Sequence, residues 1–172
     1  MKVSGFAAAL LCMAGAAAAQ QPAAPLTLDA AETIAHEAVA KCRADGLKVA
    51  VLVVDASNAT KAALRDEGTS QVNLDFAQAK ANSVLLTGLP SGLGPGGAPV
   101  TVQGATPQKS AFGGLIGVSG GKVIAGVDAG GAVPIMVNGT LIGVVAVSGA
   151  PEAARDRVCA ETGIAKAASR LK

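Results

Sequence analysis

Residues 133–147 read VPIMVNGTLIGVVAV, two apolar runs joined by Asn138-Gly139. Both central residues of a type I′ turn need positive φ, and Asn-Gly meets that need at least steric cost. The stretch therefore predicts an antiparallel hairpin with strands over 133–137 and 140–147. Working backwards, Lys122–Val127 predicts a short strand, with Gly130-Gly131 breaking the chain before the hairpin. Working forwards, Pro151-Glu152 opens a final helix that runs to the C-terminus.

The N-terminal half follows the same logic. Thr27 and Asp29 offer caps for a helix to about Ala44, in which Ala31, Ile34, Ala35, Ala38, Val39 and Cys42 recur at helical spacing. Gly46 stops it. Lys48–Val54 (KVAVLVV) is a near-continuous apolar strand, so both of its faces should be covered. Asp55–Asn58 is a turn in which Asn58 tolerates positive φ, and Thr60–Arg65 returns as an antiparallel partner. Asn73 caps a second helix over about 74–87. Residues 88–107, rich in glycine and proline, predict a long loop. The resulting order, α-β-β-α-loop-β-β-β-α, is dominated by hairpins. It predicts an α/β (α+β) fold with a mostly antiparallel five-stranded sheet flanked by helices.

The first nineteen residues have the parts of a secretory signal peptide. Lys2 is followed by an apolar, alanine-rich run and by Ala17-Ala18-Ala19, after which Gln20-Gln21-Pro22 turns polar. Cleavage there leaves a flexible arm over 20–26 and one domain over 27–172, placed in the periplasm or secreted. The run is too diluted with alanine for a membrane anchor, so no membrane association is expected after cleavage. Without Lys2, 13 Lys and Arg face 12 Asp and Glu. That balance argues against nucleic acid, which requires clustered cations, and no basic amphipathic segment suggests a membrane surface. Trp and Tyr are absent and the core must come from small aliphatic side chains. Such a core buries little area per residue, and a homo-oligomer is the expectation. Cys42 and Cys159 are expected as two buried, inert thiols, with a disulfide the alternative that export would permit.

No strong catalytic signature is present: no nucleophile elbow, no metal-spaced histidine pair and no CxxC. His36, the only histidine, is a candidate ligand for a metal or haem iron, although its helical position places it opposite the buried stripe. Arg65 and Asp66 stand at a strand end, where an arginine fork suits a carboxylate or propionate; an ordinary solvated turn is the alternative. Lys80 lies inside the second helix, as a partly buried charge or a surface one. Ser148 and Asp156 flank the start of the last helix, where the acid either lines a pocket or complements the helix dipole.

These motifs occur in a recognisable order. Val53-Val54-Asp55, Leu64-Arg65-Asp66 and Ala77-Gln78-Ala79-Lys80-Ala81 come first. Gly130-Gly131-Ala132-Val133-Pro134-Ile135, Asn138-Gly139, residues 142–150, Asp156 and Cys159–Gly163 follow. Together they resemble the GlcG/HbpS-like family, which also includes the C-terminal domain of the PduO adenosyltransferases, over about residues 27–170. The resemblance implies a profilin-like fold, homo-oligomers and haem as the cofactor, bound or handled outside the cytoplasm. It carries over to Asp55, Arg65, Lys80, Gly130, Gly131, Pro134, Ser148, Gly149 and Asp156 as motif positions, most of which shape the fold. This sequence departs from the pattern at Asn58-Ala59, at Ala146 and in its long 88–110 loop. That loop offers no His, Cys, Met or Tyr as an axial ligand, leaving His36, with Lys80 or Lys109 as the other candidates. The alternative function is a binding protein or enzyme for a small carboxylated metabolite, anchored by Arg65 with Asp66, Glu67 or Asp156 as acid or base.

Overall fold

A computed structural model describes residues 24–92, 103–104, 106–109, 115–119, 122–126 and 129–172. The expected signal peptide and most of the arm lie outside these residues. Helix α1 spans Leu28–Ala44, and Thr27 caps it by accepting a hydrogen bond from the Ala30 amide at 3.2 Å. Its apolar stripe, Ala30 to Cys42 at helical spacing, is buried, and Gly46 ends the segment with φ +73°.

Strand β1 (Ala50–Asp55) pairs antiparallel with β2 (Thr60–Arg65) through a tight turn. Asp55 Oδ1 accepts from the Ser57 and Ala59 amides, and Asn58 takes φ +67°. On its other side β1 pairs with β7 (Thr140–Ser148), which pairs in turn with β6 (Ala132–Val137) across the Asn138-Gly139 turn. The result is a four-stranded antiparallel sheet in the order β2-β1-β7-β6. Pro134, which cannot donate to a ladder, lies on the last strand of that order, where such a loss is tolerated.

Helix α2 (Gln71–Thr87) starts from a capping box between Ser70 and Asn73 and covers one face of the sheet. Helices α1 and α3 (Ala153–Lys166) cover the other, and a short 3-10 turn over Ala168–Arg170 closes the chain. This two-sided cover explains the unbroken apolar run of β1. Its odd-numbered valines face α1 and α3, while Leu52 and Val54 face α2. Among the described residues, no helix is long and apolar enough to cross a membrane.

The fold class matches expectation; the strand count does not. A second, three-stranded antiparallel sheet forms from β3 (Thr106–Lys109), β4 (Leu115–Ser119) and β5 (Lys122–Gly126). Strand β3 reads TPQK, without apolar alternation and with a proline, and it begins inside the stretch expected as loop. It is an edge strand held by its pairing with β4, so its own composition carries no strand signal.

The cysteines also correct an expectation. Cys42 and Cys159 are joined in a disulfide, with Cα atoms 5.6 Å apart and 117 residues between them in sequence. They are far apart along the chain, yet α1 and α3 pack side by side. A Cβ on Gly163 would lie 2.5 Å from the Ile34 carbonyl oxygen, so this close helix approach requires glycine.

Candidate functional site

Lys80 belongs to the buried stripe of α2: Ala77, Lys80, Ala81 and Val84 follow i, i+3, i+4, i+7 spacing. Its ammonium is therefore directed at the sheet rather than at solvent. Nζ donates to Asp156 Oδ2 at 2.9 Å and to the Val147 carbonyl at 2.9 Å. Asp156 comes from the first turn of α3, on the opposite face of the sheet. Its Oδ1 accepts from the Ala150 amide at 3.0 Å, and the Gly149 amide also donates to the carboxylate.

The two charges meet through a gap that Gly131 leaves open. Gly131 has φ +121°, and a Cβ there would lie 2.5 Å from the Val147 oxygen, 2.8 Å from Asp156 Cβ and 3.0 Å from Lys80 Nζ. Gly130 sits beside it, against Ala153 at the start of α3. Desolvation pushes the Lys80 ammonium below its ordinary value and the Asp156 carboxyl above its own, each partly offset by the other's charge. Lys80 and Asp156 are only 4% and 2% exposed, and among the described residues no buried side-chain polar atom lacks a partner. The arrangement binds its own groups and ties α2 to α3 through the sheet; its polar atoms are already engaged. Ser148, buried at the end of β7, lies in register with Ala50 and Arg65 across three strands.

Arg65 and Asp66 stand apart from this pair. Arg65 is exposed, and its Nη1 donates to the Thr69 carbonyl, closing the turn that leads into α2. Asp66 is buried and held side-on by Arg43, with Nε to Oδ2 at 3.0 Å and Nη2 to Oδ1 at 2.8 Å. The Arg43 guanidinium, helped by the Glu67 amide, holds the Asp66 carboxyl below the usual carboxylate range. The Arg43–Asp66 pair, Lys48 and Glu67 line an open groove of about 420 Å³. The sequence shows Arg43 as a cation in the last turn of a helix, but nothing in it pairs that cation with residue 66.

His36 lies exposed on α1, as its helical position predicts. It borders a second groove of about 160 Å³ between α1 and β2, lined by Glu32, Ala35, Lys61 and Ala62 to Leu64. Among the described residues no three His, Cys, Asp or Glu side chains gather to hold a metal ion. Lys109 falls on β3, with its side chain outside the description. The structure thus brings Lys80, Gly131 and Asp156 together, with Gly130 adjacent, and keeps His36 and the Arg65-Asp66 turn separate.

Comparison with known proteins places this geometry. Crystal structures of similar fold include HbpS, 25% identical, covering 84% of this chain and 92% of that one at a TM-score of 0.59. A second is a PduOC:heme complex, 24% identical, covering 83% and 95% at a TM-score of 0.62. A third is the Klebsiella pneumoniae protein ORFY, 20% identical, covering 87% and 96% at a TM-score of 0.63. No curated protein matches the chain. The family described as "Haem degrading protein HbpS-like" matches residues 26–165, most of the chain, and the protein belongs to that HbpS-like family.

Proposed function

We propose that this protein binds and handles haem outside the cytoplasm, and that His36 is the residue that would hold the iron. Family membership over residues 26–165 supports the ligand class. The observation that carries the site is the exposed imidazole of His36 beside the α1–β2 groove. Protein ligands to haem iron are His, Cys thiolate, Met or Tyr. This chain has one histidine and no tyrosine. Its two described cysteines are consumed in the disulfide, which leaves His36 and the exposed Met136 among the described residues. Lys61 lines the same groove, with its ammonium 3.5 Å from Asp55 Oδ2, and a propionate there would share that cation.

The groove's 160 Å³ falls below the ~300–1,000 Å³ of an enclosing ligand pocket. A porphyrin would need contact beyond this groove, which a second copy of the chain would have to supply. Bound haem would supply an iron centre for redox chemistry; the protein's own part is to orient and shield it. The disulfide supports the export reading, because such bonds persist in oxidising compartments.

Titration with haemin tests the site. A saturable Soret band is expected, weakened about tenfold or more by His36→Ala and less by Lys61→Ala. No saturable spectral change would remove the proposal. Cell fractionation with N-terminal sequencing tests export, with Gln20 as the expected first residue.

A second reading, a small carboxylated ligand, is favoured by one observation: the groove where Arg43 and Lys48 converge. It moves the anchor from Arg65, which serves its own turn, to Lys48, because Arg43 is already held by Asp66. A carboxylate that raises the melting temperature in wild type but not in Lys48→Glu would support it.

A further inference from the structure

We propose that the Cys42–Cys159 bond is a late-closing lock, installed by a disulfide-bearing oxidant before α3 docks and inaccessible to reductants afterwards. The inference rests on the export reading for the compartment in which such an oxidant is met. Three observations carry it.

Both cysteines are 0% exposed, in the core between the sheet and helices α1 and α3. No oxidant can reach either sulfur once α3 is packed, so exchange precedes docking. Cys159 lies in the last helix, 117 residues after Cys42, and the bond cannot close until nearly the whole chain has emerged. Finally, the two thiols are unequal. Cys42 stands between Lys41 and Arg43, whereas Cys159 stands between Val158 and Ala160. Neighbouring cations favour the thiolate, which is the attacking species. Cys42 therefore reacts first.

The exchange balances without any further reagent. The Cys42 thiolate attacks the oxidant's disulfide, forming a mixed disulfide and releasing one oxidant thiolate. The Cys159 thiolate then attacks the Cys42 sulfur, forming the internal bond and releasing the second oxidant thiolate. The oxidant takes up two electrons, and the two protons lost from the cysteines pass to its thiols. The third cysteine, Cys12, lies in the expected leader, so cleavage leaves this pair alone.

Iodoacetamide labelling with mass mapping tests this on the purified protein. Expected is no labelling of Cys42 or Cys159 in denaturant before reduction, and labelling of both after it. In the reduced, unfolded chain, Cys42 should label faster than Cys159, and Lys41→Gln should narrow the difference. Oxidised glutathione serves as the oxidant in refolding, and the oxidised product should melt roughly 10 °C above the reduced one. Dithiothreitol should cleave the native bond only at the rate of unfolding, many-fold more slowly than in urea. Should Cys42→Ala/Cys159→Ala fail to fold, the labelling and reduction rates still decide. Free thiols in protein recovered from outside the cytoplasm would overturn the lock and leave export standing. A closed bond in protein found only in the cytoplasm would do the reverse. Reduction of the native protein as fast as in urea would also overturn the lock.

Discussion

The two faces of the four-stranded sheet are held by different means. Towards α1 and α3 lies a broad aliphatic core, including Ile34, Val51, Val53, Ile135, Val145 and Val147, with a disulfide inside it. Towards α2 lies a smaller cluster, Leu52, Val54, Val84, Val144 and several alanines. Small side chains bury little area each, and on this second face a buried ion pair supplements them. Lys80–Asp156 passes through the sheet at Gly131 and fastens α2 to the better-held side. Without aromatic bulk, the fold adds a covalent link on one face and an ionic one on the other.

The largest expected effect breaks the ionic link. Asp156→Ala leaves the Lys80 ammonium buried without its carboxylate and should cost about 3–5 kcal/mol in urea unfolding. Lys80→Met/Asp156→Leu should recover most of that loss, since removing both charges removes the desolvation cost as well. A double variant as unstable as the single would show that the pair contributes more than mutual satisfaction.

A methyl group at the α1–α3 contact tests the other face. In Gly163→Ala the new carbon would lie 2.5 Å from the Ile34 oxygen and 3.2 Å from Ala38 Cβ. Forcing the helices apart should cost roughly 1–3 kcal/mol, read as a lower melting temperature.

A pH series on Asp66→Asn gives a smaller effect with a defined sign. The Asp66 carboxyl titrates below its unfolded value, so the folded protein gains stability above the ordinary carboxylate range. That gain is lost as pH falls through the lowered folded value. The variant should melt below wild type at pH 7, with the difference closing only as pH falls below the ordinary aspartate range. A gap that stays constant with pH would assign the effect to packing instead.

His36→Ala should leave the melting temperature unchanged, because the side chain is exposed and outside both cores. Loss of haemin binding with unchanged stability would mark His36 as a ligand rather than a structural residue.

Local features were readable where neighbours in sequence set the geometry. Thr27 as a cap, Thr60–Arg65 as a strand, and the positive φ of Asn58 and Asn138 all follow from short-range sterics and hydrogen bonding. Strand β3 was not readable, because Thr106–Lys109 holds strand geometry through its partner rather than through its own side chains, and β4 is a five-residue run set between glycine pairs that read as turns. The candidate site was half legible. The residues left Lys80 open between a partly buried charge and a surface one, and Gly131 and Asp156 stood together with it only as motif positions of the family resemblance.

By itself, then, the sequence determined the three helices, the four strands of the larger sheet and β5, where the main hairpin turns, and which cysteines and charges are available. Tertiary structure alone decided the partners. Lys80 and Asp156 are 76 residues apart, Arg43 and Asp66 are 23 apart, and the two cysteines are 117 apart. Propensity and capping act over a turn or two of chain, whereas an ion pair or a disulfide forms only when packing brings distant atoms within a few ångströms.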